Sequence, residues 1–255
     1  MVDLLVDLKT RFHAIGVKAE FEAEGTRLDE AMRLKELTMA AGLDLTLKIG
    51  GCEALTDLDL ASRLGVRRLV APMIESPYAL HKYLNAVDRT FSADERSDLE
   101  VFINLETVTG VEQFERMLMS PGSERLDGVV IGRADLAGSL GLSRAEVEDP
   151  AVQERARAIA LKARHQGLRV GVGGSVTPGS LEGFRALPAL DFFETRKVLF
   201  ACPAGLEHGA AALAQAFAFE LAWLENKRDR YGRLRDEDDE RIAELRRRSA
   251  GLASV

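Results

Sequence analysis

Two acidic residues at the ends of apolar runs offer the clearest chemistry in this chain. Glu106 closes "VFINLE", and Asp135 follows "DGVVIGRA". Neighbouring strands of a sheet lie about 4.8 Å apart, so carboxylates at adjacent strand ends can reach one cation. Two carboxylates with open positions suit Mg²⁺ or Mn²⁺, hard ions that keep waters and accept substrate oxygens. Taken alone, Asp135 reads as a helix N-cap, a position Asp fills well. Its pairing with Glu106 is what favours the metal reading. The histidines, His13, His81, His165 and His208, fall on expected helices rather than at strand ends. That argues against a zinc triad or a His-based nucleophilic triad. Cys52 and Cys202 read as small apolar fillers.

The elements that must position these residues follow from side-chain alternation. In "VKAEFEAEG", Val17, Ala19, Phe21 and Ala23 share one face, and Lys18, Glu20, Glu22 and Glu24 share the other. "LDLTLKIGG" sets Thr46 and Lys48 opposite its apolar residues, and "EVFINLET" does the same with Phe102, Asn104 and Glu106. In "LDFFETRKVLF", read as one strand, Glu194 and Arg196 share a face. Amphipathic helices separate these strands, so the apolar faces meet helices and the charged faces point inward. Buried charge is costly unless paired or metal-bound. A polar interior therefore points to a catalytic or ligand-binding centre at the C-terminal strand ends, where barrel sites lie.

Alternating strands and helices imply a parallel sheet, because parallel neighbours need a crossover. At this length the closure expected is a (β/α)8-type TIM barrel over residues 1–205. Seven strands are visible and the chain opens on a helix, so either the first strand is missing or one strand is disguised. Residues 206–255 read as a long C-terminal helical extension that packs on a neighbouring subunit. "VGVGGSV" could offer backbone N–H groups to a phosphate, although a tight strand-to-helix turn explains it equally well.

The chain has 255 residues, 46% of them hydrophobic, and a formal net charge of −7. It lacks the basic surplus that follows a phosphate backbone, so nucleic acid is not an expected partner. No run reaches membrane-spanning length. The N-terminus carries acids among its apolar residues and no basic n-region, unlike a signal peptide. A cytoplasmic protein with reduced thiols is expected.

"VFINLET" followed by "GVVIGRADLAGSLG" resembles the HpcH/HpaI aldolase and citrate lyase beta-subunit family. Members carry an apolar strand ending in Glu-Thr, then a segment like "IGPADLS" leading into Leu-Gly. "RRLVAPMIES" is similar to the family's Leu-Val-Pro-Met strand and "LTLKIGG" to its substrate-anchoring strand. The likeness spans roughly Val17 to Val198. It implies a barrel of the pyruvate/phosphoenolpyruvate type, with Mg²⁺ or Mn²⁺ held by Glu106 and Asp135. It also implies a 2-oxo acid substrate such as pyruvate or oxaloacetate, whose enolate the metal stabilises while a C–C bond breaks or forms. The backbone N–H groups of Ala134 and Asp135 would receive the substrate carboxylate, and Asn104 matches a family Gln near the metal; Gly132, and Arg196 from its inward strand face, are expected to line the substrate as well. The family's last helix suggests a homo-oligomer built through the C-terminal segment.

The departures bear on the reaction. Lys48 stands where the family carries Arg, and supplies charge without a bidentate fork. "EFEAEG" lacks the family's His, so Glu22 or Glu24 is the expected acid or base. Arg133 replaces a Pro and is expected at the pocket mouth, where with Lys48 it would steady the developing oxyanion or a carboxylate. The expectation is a metal-dependent lyase or aldolase. The alternatives are a biosynthetic condensation or another enolate step, and a non-catalytic binding or assembly barrel.

Overall fold

A computed structural model describes residues 1–252. In chain order the elements are α1 (Val2–Phe12), β1 (Ala14–Glu20), α2 (Leu28–Ala41), β2 (Asp44–Lys48), α3 (Leu55–Leu64), β3 (Arg68–Ala71), α4 (Pro77–Thr90) and α5 (Ala93–Asp98). There follow β4 (Glu100–Leu105), α6 (Val108–Leu118), β5 (Gly128–Gly132), α7 (Arg133–Ser139), α8 (Pro150–His165), β6 (Arg169–Gly173) and α9 (Ser180–Ala186). β7 (Phe192–Glu194), β8 (Val198–Ala201), α10 (Ala204–Glu207) and α11 (Gly209–Leu252) complete the chain.

The eight strands close a barrel in sequence order. β1 to β7 run parallel, whereas β8 is antiparallel to both β7 and β1. This settles which strand was disguised. "LDFFETRKVLF" is a hairpin, and β8 closes the gap between β7 and β1. The turn carries neither Gly nor Pro. Thr195 makes it instead: its N–H donates to the Val198 carbonyl at 2.9 Å, and its Oγ1 accepts the Val198 N–H at 3.1 Å.

The outward faces of the strands, among them Val17, Leu47, Ile103, Ile131 and Val172, pack beneath the helices in the main core. The inward faces form layers. Thr46, Arg68, Glu100 and Arg169 lie at the N-terminal end, where Arg68 Nη2 and Arg169 Nη2 meet Glu100 Oε2 at 2.6 and 2.9 Å. Val70, Phe102, Val130, Phe192 and Leu199 form an apolar plug above them. Gly128 and Gly171 make room for it, since a Cβ on either would lie 2.2 Å from the ring of Phe102 or Phe192. Charged side chains return above the plug.

The C-terminal segment begins on its own barrel. Ala212, Leu213, Ala216, Phe219 and Trp223 form the buried face of α11. Further along, Tyr231 Oη donates to Glu30 Oε1 at 2.6 Å, and Lys227 Nζ meets Glu30 Oε2 at 3.0 Å. Residues 253–255 of the expected extension lie outside the described residues. No described helix is long and apolar enough to cross a membrane.

Candidate active site at the barrel mouth

A cavity of about 370 Å³ opens above the apolar plug, at the C-terminal ends of the strands. Glu106, just past β4, is its most constrained carboxylate, with 2% exposure. Its Oε2 accepts from Asn104 Nδ2 at 2.8 Å and lies 3.4 Å from Lys48 Nζ. Its Oε1 accepts the backbone N–H of Met73 at 3.1 Å. Met73 delivers that N–H from a left-handed backbone, φ 53°, a conformation that costs energy for a non-glycine residue and clusters at functional sites. Burial pushes the Glu106 carboxyl above its usual range. Lys48 and Asn104 oppose this, and the charge of Asp135 adds to it.

Asp135 lines the same cavity and is exposed to it. It is not the helix cap. α7 already begins at Arg133, with Gly132 in the cap position, so Asp135 stands in the first turn. Gly132 is needed for a second reason: a Cβ there would lie 2.7 Å from both Cβ and Oε2 of Glu106.

These two carboxylates fit a shared divalent cation. The charge of Asp135 raises the cost of a charge on Glu106, which a cation would offset. Beside them Asn104 Oδ1 is buried without a partner. The donor set is oxygen, as Mg²⁺ and Mn²⁺ prefer. No group of three or more His, Cys, Asp or Glu placed to hold an ion occurs among the described residues.

The opposite wall is also charged. Lys18 Nζ meets Glu194 Oε1 at 2.6 Å and Glu20 Oε1 at 2.9 Å. Lys18 is 7% and Glu194 6% exposed. Burial opposes the charge on Lys18, but the two carboxylates reverse this and hold the ammonium above its ordinary range. Burial likewise pushes the Glu20 carboxyl up, and Lys18, with Lys48 and Arg196, more than reverses it.

Of the residues expected from sequence, Lys48, Asn104, Glu106, Gly132, Ala134, Asp135 and Arg196 come together around this cavity. Three do not. Glu22 lies past the end of β1, exposed, with its carboxylate against Gly50. Glu24 is tied to Lys197. Strand alternation fails for both because β1 ends at Glu20. Arg133 is fully buried and turned away from the cavity. It donates to the carbonyls of Gly173 at 3.3 Å and Gly174 at 2.9 Å, pairs with Glu148 at 2.8 Å and stacks on Phe184. It clamps the start of α7 to the segment after β6 rather than steadying a substrate. Sequence reasoning set Lys18, Glu20 and Glu194 facing inward without assigning them to the site. It missed Arg144, Phe217 and Glu220, which arrive from a loop and from α11, where no strand period signals them.

Eight strands ringed by helices, with a polar cavity at the C-terminal strand ends, define a TIM barrel. The sequence profile of the HpcH/HpaI aldolase/citrate lyase family matches residues 36–180, and the chain belongs to that family. The fold is shared with an HpcH/HpaI aldolase from Desulfitobacterium hafniense DCB-2, at TM-score 0.63 and 14% identity over 76% of this chain and 82% of that one. A family protein from Burkholderia cenocepacia J2315 gives TM-score 0.61 and 16% identity over 89% and 100%. The citrate synthase SbnG gives TM-score 0.61 and 15% identity over 89% and 90%. At these identities the likeness is one of fold. No curated protein sequence matches the chain.

Proposed function

We propose that this chain is a divalent-metal-dependent carbon–carbon lyase acting on a 2-oxo acid of the pyruvate or oxaloacetate type. The observation that carries the reading is Glu106, buried at a strand end in contact with Lys48 and raised in pKa partly by Asp135. Glu106 and Asp135 would hold Mg²⁺ or Mn²⁺, which supplies Lewis-acid polarisation of the keto oxygen. Lys48 adds positive charge where an enolate oxygen develops. Asn104 orients Glu106 through its amide N–H. Gly132, Ala134 and Asp135 leave backbone-lined space for the substrate carboxylate, and Arg196 supplies a cation at the rim.

Deuterium exchange into the methyl group of pyruvate, with Mg²⁺ present, tests the reading. Exchange above the metal-only background is expected, and Glu106→Gln should abolish both exchange and Mg²⁺ binding. No exchange with Mg²⁺ shown to be bound would refute the reading. A condensation that forms the same bond is the second reading, and the fold shared with a citrate synthase favours keeping it. Product analysis with aldehydes against oxaloacetate as acceptor separates the two. Exchange by the purified chain would exclude the non-catalytic barrel.

The same reading includes a cytoplasmic location and a homo-oligomer that uses α11 beyond Tyr231.

A further inference from the structure

We infer that Glu20 is the group that takes a proton from the substrate and returns it, held in place by Lys18 and Glu194. The inference rests on the enolate chemistry proposed above and supplies the proton carrier which that chemistry needs.

The other carboxylates carried by the strands and the segments that directly follow them are committed or displaced, and Glu220 reaches the cavity only from α11. Glu106 and Asp135 are assigned to the cation. Glu22 stands outside the cavity and Glu24 is bound to Lys197. No histidine lines the cavity among the described residues. Glu194 lies deeper, with one oxygen on Lys18 and the other buried without a partner. Glu20 is the last residue of β1 and points inward at the open end. In register it sits beside Lys48, which in turn contacts Glu106. The proposed carrier and the proposed metal ligand thus flank the same lysine.

Lys18 is fixed from two sides, by Glu194 on β7 and by Glu20 two residues along its own strand. An ammonium held by two carboxylates has no free lone pair, so Lys18 is a poor candidate for Schiff-base formation with a keto acid. It is a positioning residue. The charges facing Glu20 are Lys18 from β1, Lys48 from β2, Glu194 from β7, Arg196 from the β7–β8 turn and Glu220 from α11.

In the cleavage direction, where the substrate is a 4-hydroxy-2-oxo acid that releases pyruvate and an aldehyde, the Glu20 carboxylate removes the proton of the 4-hydroxyl. The carbonyl of the leaving aldehyde forms, the C3–C4 bond breaks, and its electron pair passes into the enolate. The protonated Glu20 then gives the same proton to C3, which completes the methyl group and restores the carboxylate. Protons and electrons balance with no further reactant. In the partial reaction Glu20 removes a methyl proton from pyruvate and returns one from solvent.

The test is pyruvate exchange in D₂O with Mg²⁺, followed by proton NMR. Glu20→Gln is expected to slow exchange on the order of 10²-fold or more per folded molecule, with Mg²⁺ affinity close to the parent's. Because the carboxylate is the active form, the rate falls as pH drops through its pKa. Removing the Lys18 charge lets burial raise that pKa, so Lys18→Met should move the acid limb to higher pH. Lys18→Arg keeps the charge and should restore the limb. The Glu20 carboxyl carbon, identified by its loss in Glu20→Gln, should titrate with the same displacement, a readout independent of turnover. A merely structural Lys18 would reduce folded protein and leave the limb where it was. If Lys18→Met does not fold, Glu194→Gln provides the second perturbation. It frees Lys18 for Glu20 alone and should move the limb to lower pH. Parent exchange with undiminished exchange in Glu20→Gln overturns this inference alone. No parent exchange with bound Mg²⁺ overturns the enolate reading and this inference with it.

Discussion

Met73 gives its backbone N–H to Oε1 of Glu106 at 3.1 Å, from the left-handed turn that follows β3. The other oxygen of Glu106 is held from β4 by Asn104 and from β2 by Lys48. Three separate segments therefore fix one carboxylate before any ligand arrives. Such preorganisation is what a metal site needs from its surroundings, because partners that orient a ligand govern affinity nearly as strongly as the ligand itself.

Gly132→Ala tests how tightly that carboxylate is held. The backbone at Gly132 has φ −87°, which alanine adopts without strain. The only new feature is a Cβ set 2.7 Å from Cβ and Oε2 of Glu106. Overpacking of this kind costs about 1–3 kcal/mol. Displacement of Glu106 should also weaken Mn²⁺ binding by about tenfold or more. Calorimetric titration and thermal unfolding check both. Unchanged Mn²⁺ affinity would mean that Glu106 is not the ligand.

Arg133→Met should destabilise the fold and spare the chemistry. It removes donors to the carbonyls of Gly173 and Gly174 and to Ser180 Oγ, and leaves Glu148 without its cation. Breaking a buried pair costs about 3–5 kcal/mol. The Glu148 side chain is 40% exposed, so about 2–3 kcal/mol is the fitting expectation here. Denaturant unfolding measures it. Pro, the family's residue, suits the first helical position that Arg133 occupies. Arg133→Pro should therefore lose the clamp and little else. A large fall in pyruvate exchange per folded molecule in either variant would return Arg133 to the active site.

Arg133 also marks where the sequence was legible and where it was not. The inward set of Lys48, Asn104 and Glu106 followed from strand alternation, and the meeting of Glu106 and Asp135 at one cavity from two strand ends. Alternation carries no information past the last residue of a strand, so Glu22 and Glu24 were assigned to the inward face although β1 had already ended at Glu20. Arg133 gave no signal either, because a charge beside a pocket in sequence can point to either side of the loop. The β7–β8 hairpin was hidden because its turn depends on Thr195 rather than on glycine or proline. The contribution of Phe217 and Glu220 is a tertiary fact, set by where α11 crosses the barrel rim.

Acid should unfold the barrel from its N-terminal end. Burial pushes the Glu100 carboxyl up, but Arg169 and Arg68 together hold it below its usual range. A carboxylate with a depressed folded pKa contributes stability above its unfolded value, about 4.3 for Glu. That stability is lost as pH falls through the folded value. Thermal midpoints should stay nearly level from pH 7 to 5 and then drop below about pH 4.3. Glu100→Gln should lower stability at pH 7 by about 2–4 kcal/mol, because Arg68 stays buried without its partner. It should also flatten the acid slope. A slope identical to the parent's would show that other carboxylates dominate, Glu20 and Glu148 being the first to consider, since against burial Glu20 is held low by Lys18 and Glu148 by Ser180 and Arg133.

Truncation after Gly232 separates the part of α11 that the barrel needs from the part left over. Through Tyr231 the helix is bound to its own chain: Phe219 and Trp223 are buried, and Lys227, Arg230 and Tyr231 reach Asp29 and Glu30 on α2. From Arg233 onward the side chains described are exposed. They add little apolar burial, so their removal should leave the thermal midpoint within a few degrees, the shift about 1 kcal/mol produces at this size. Light scattering should show a smaller assembly if the distal helix joins subunits. An unchanged mass would place the proposed interface elsewhere. Truncation after Ala222 instead removes Trp223 and every tie to α2, and should cost about 3–5 kcal/mol for the lost indole alone. Equal stability of the two truncated chains would mean that the stretch from Trp223 to Gly232 adds nothing to the barrel wall.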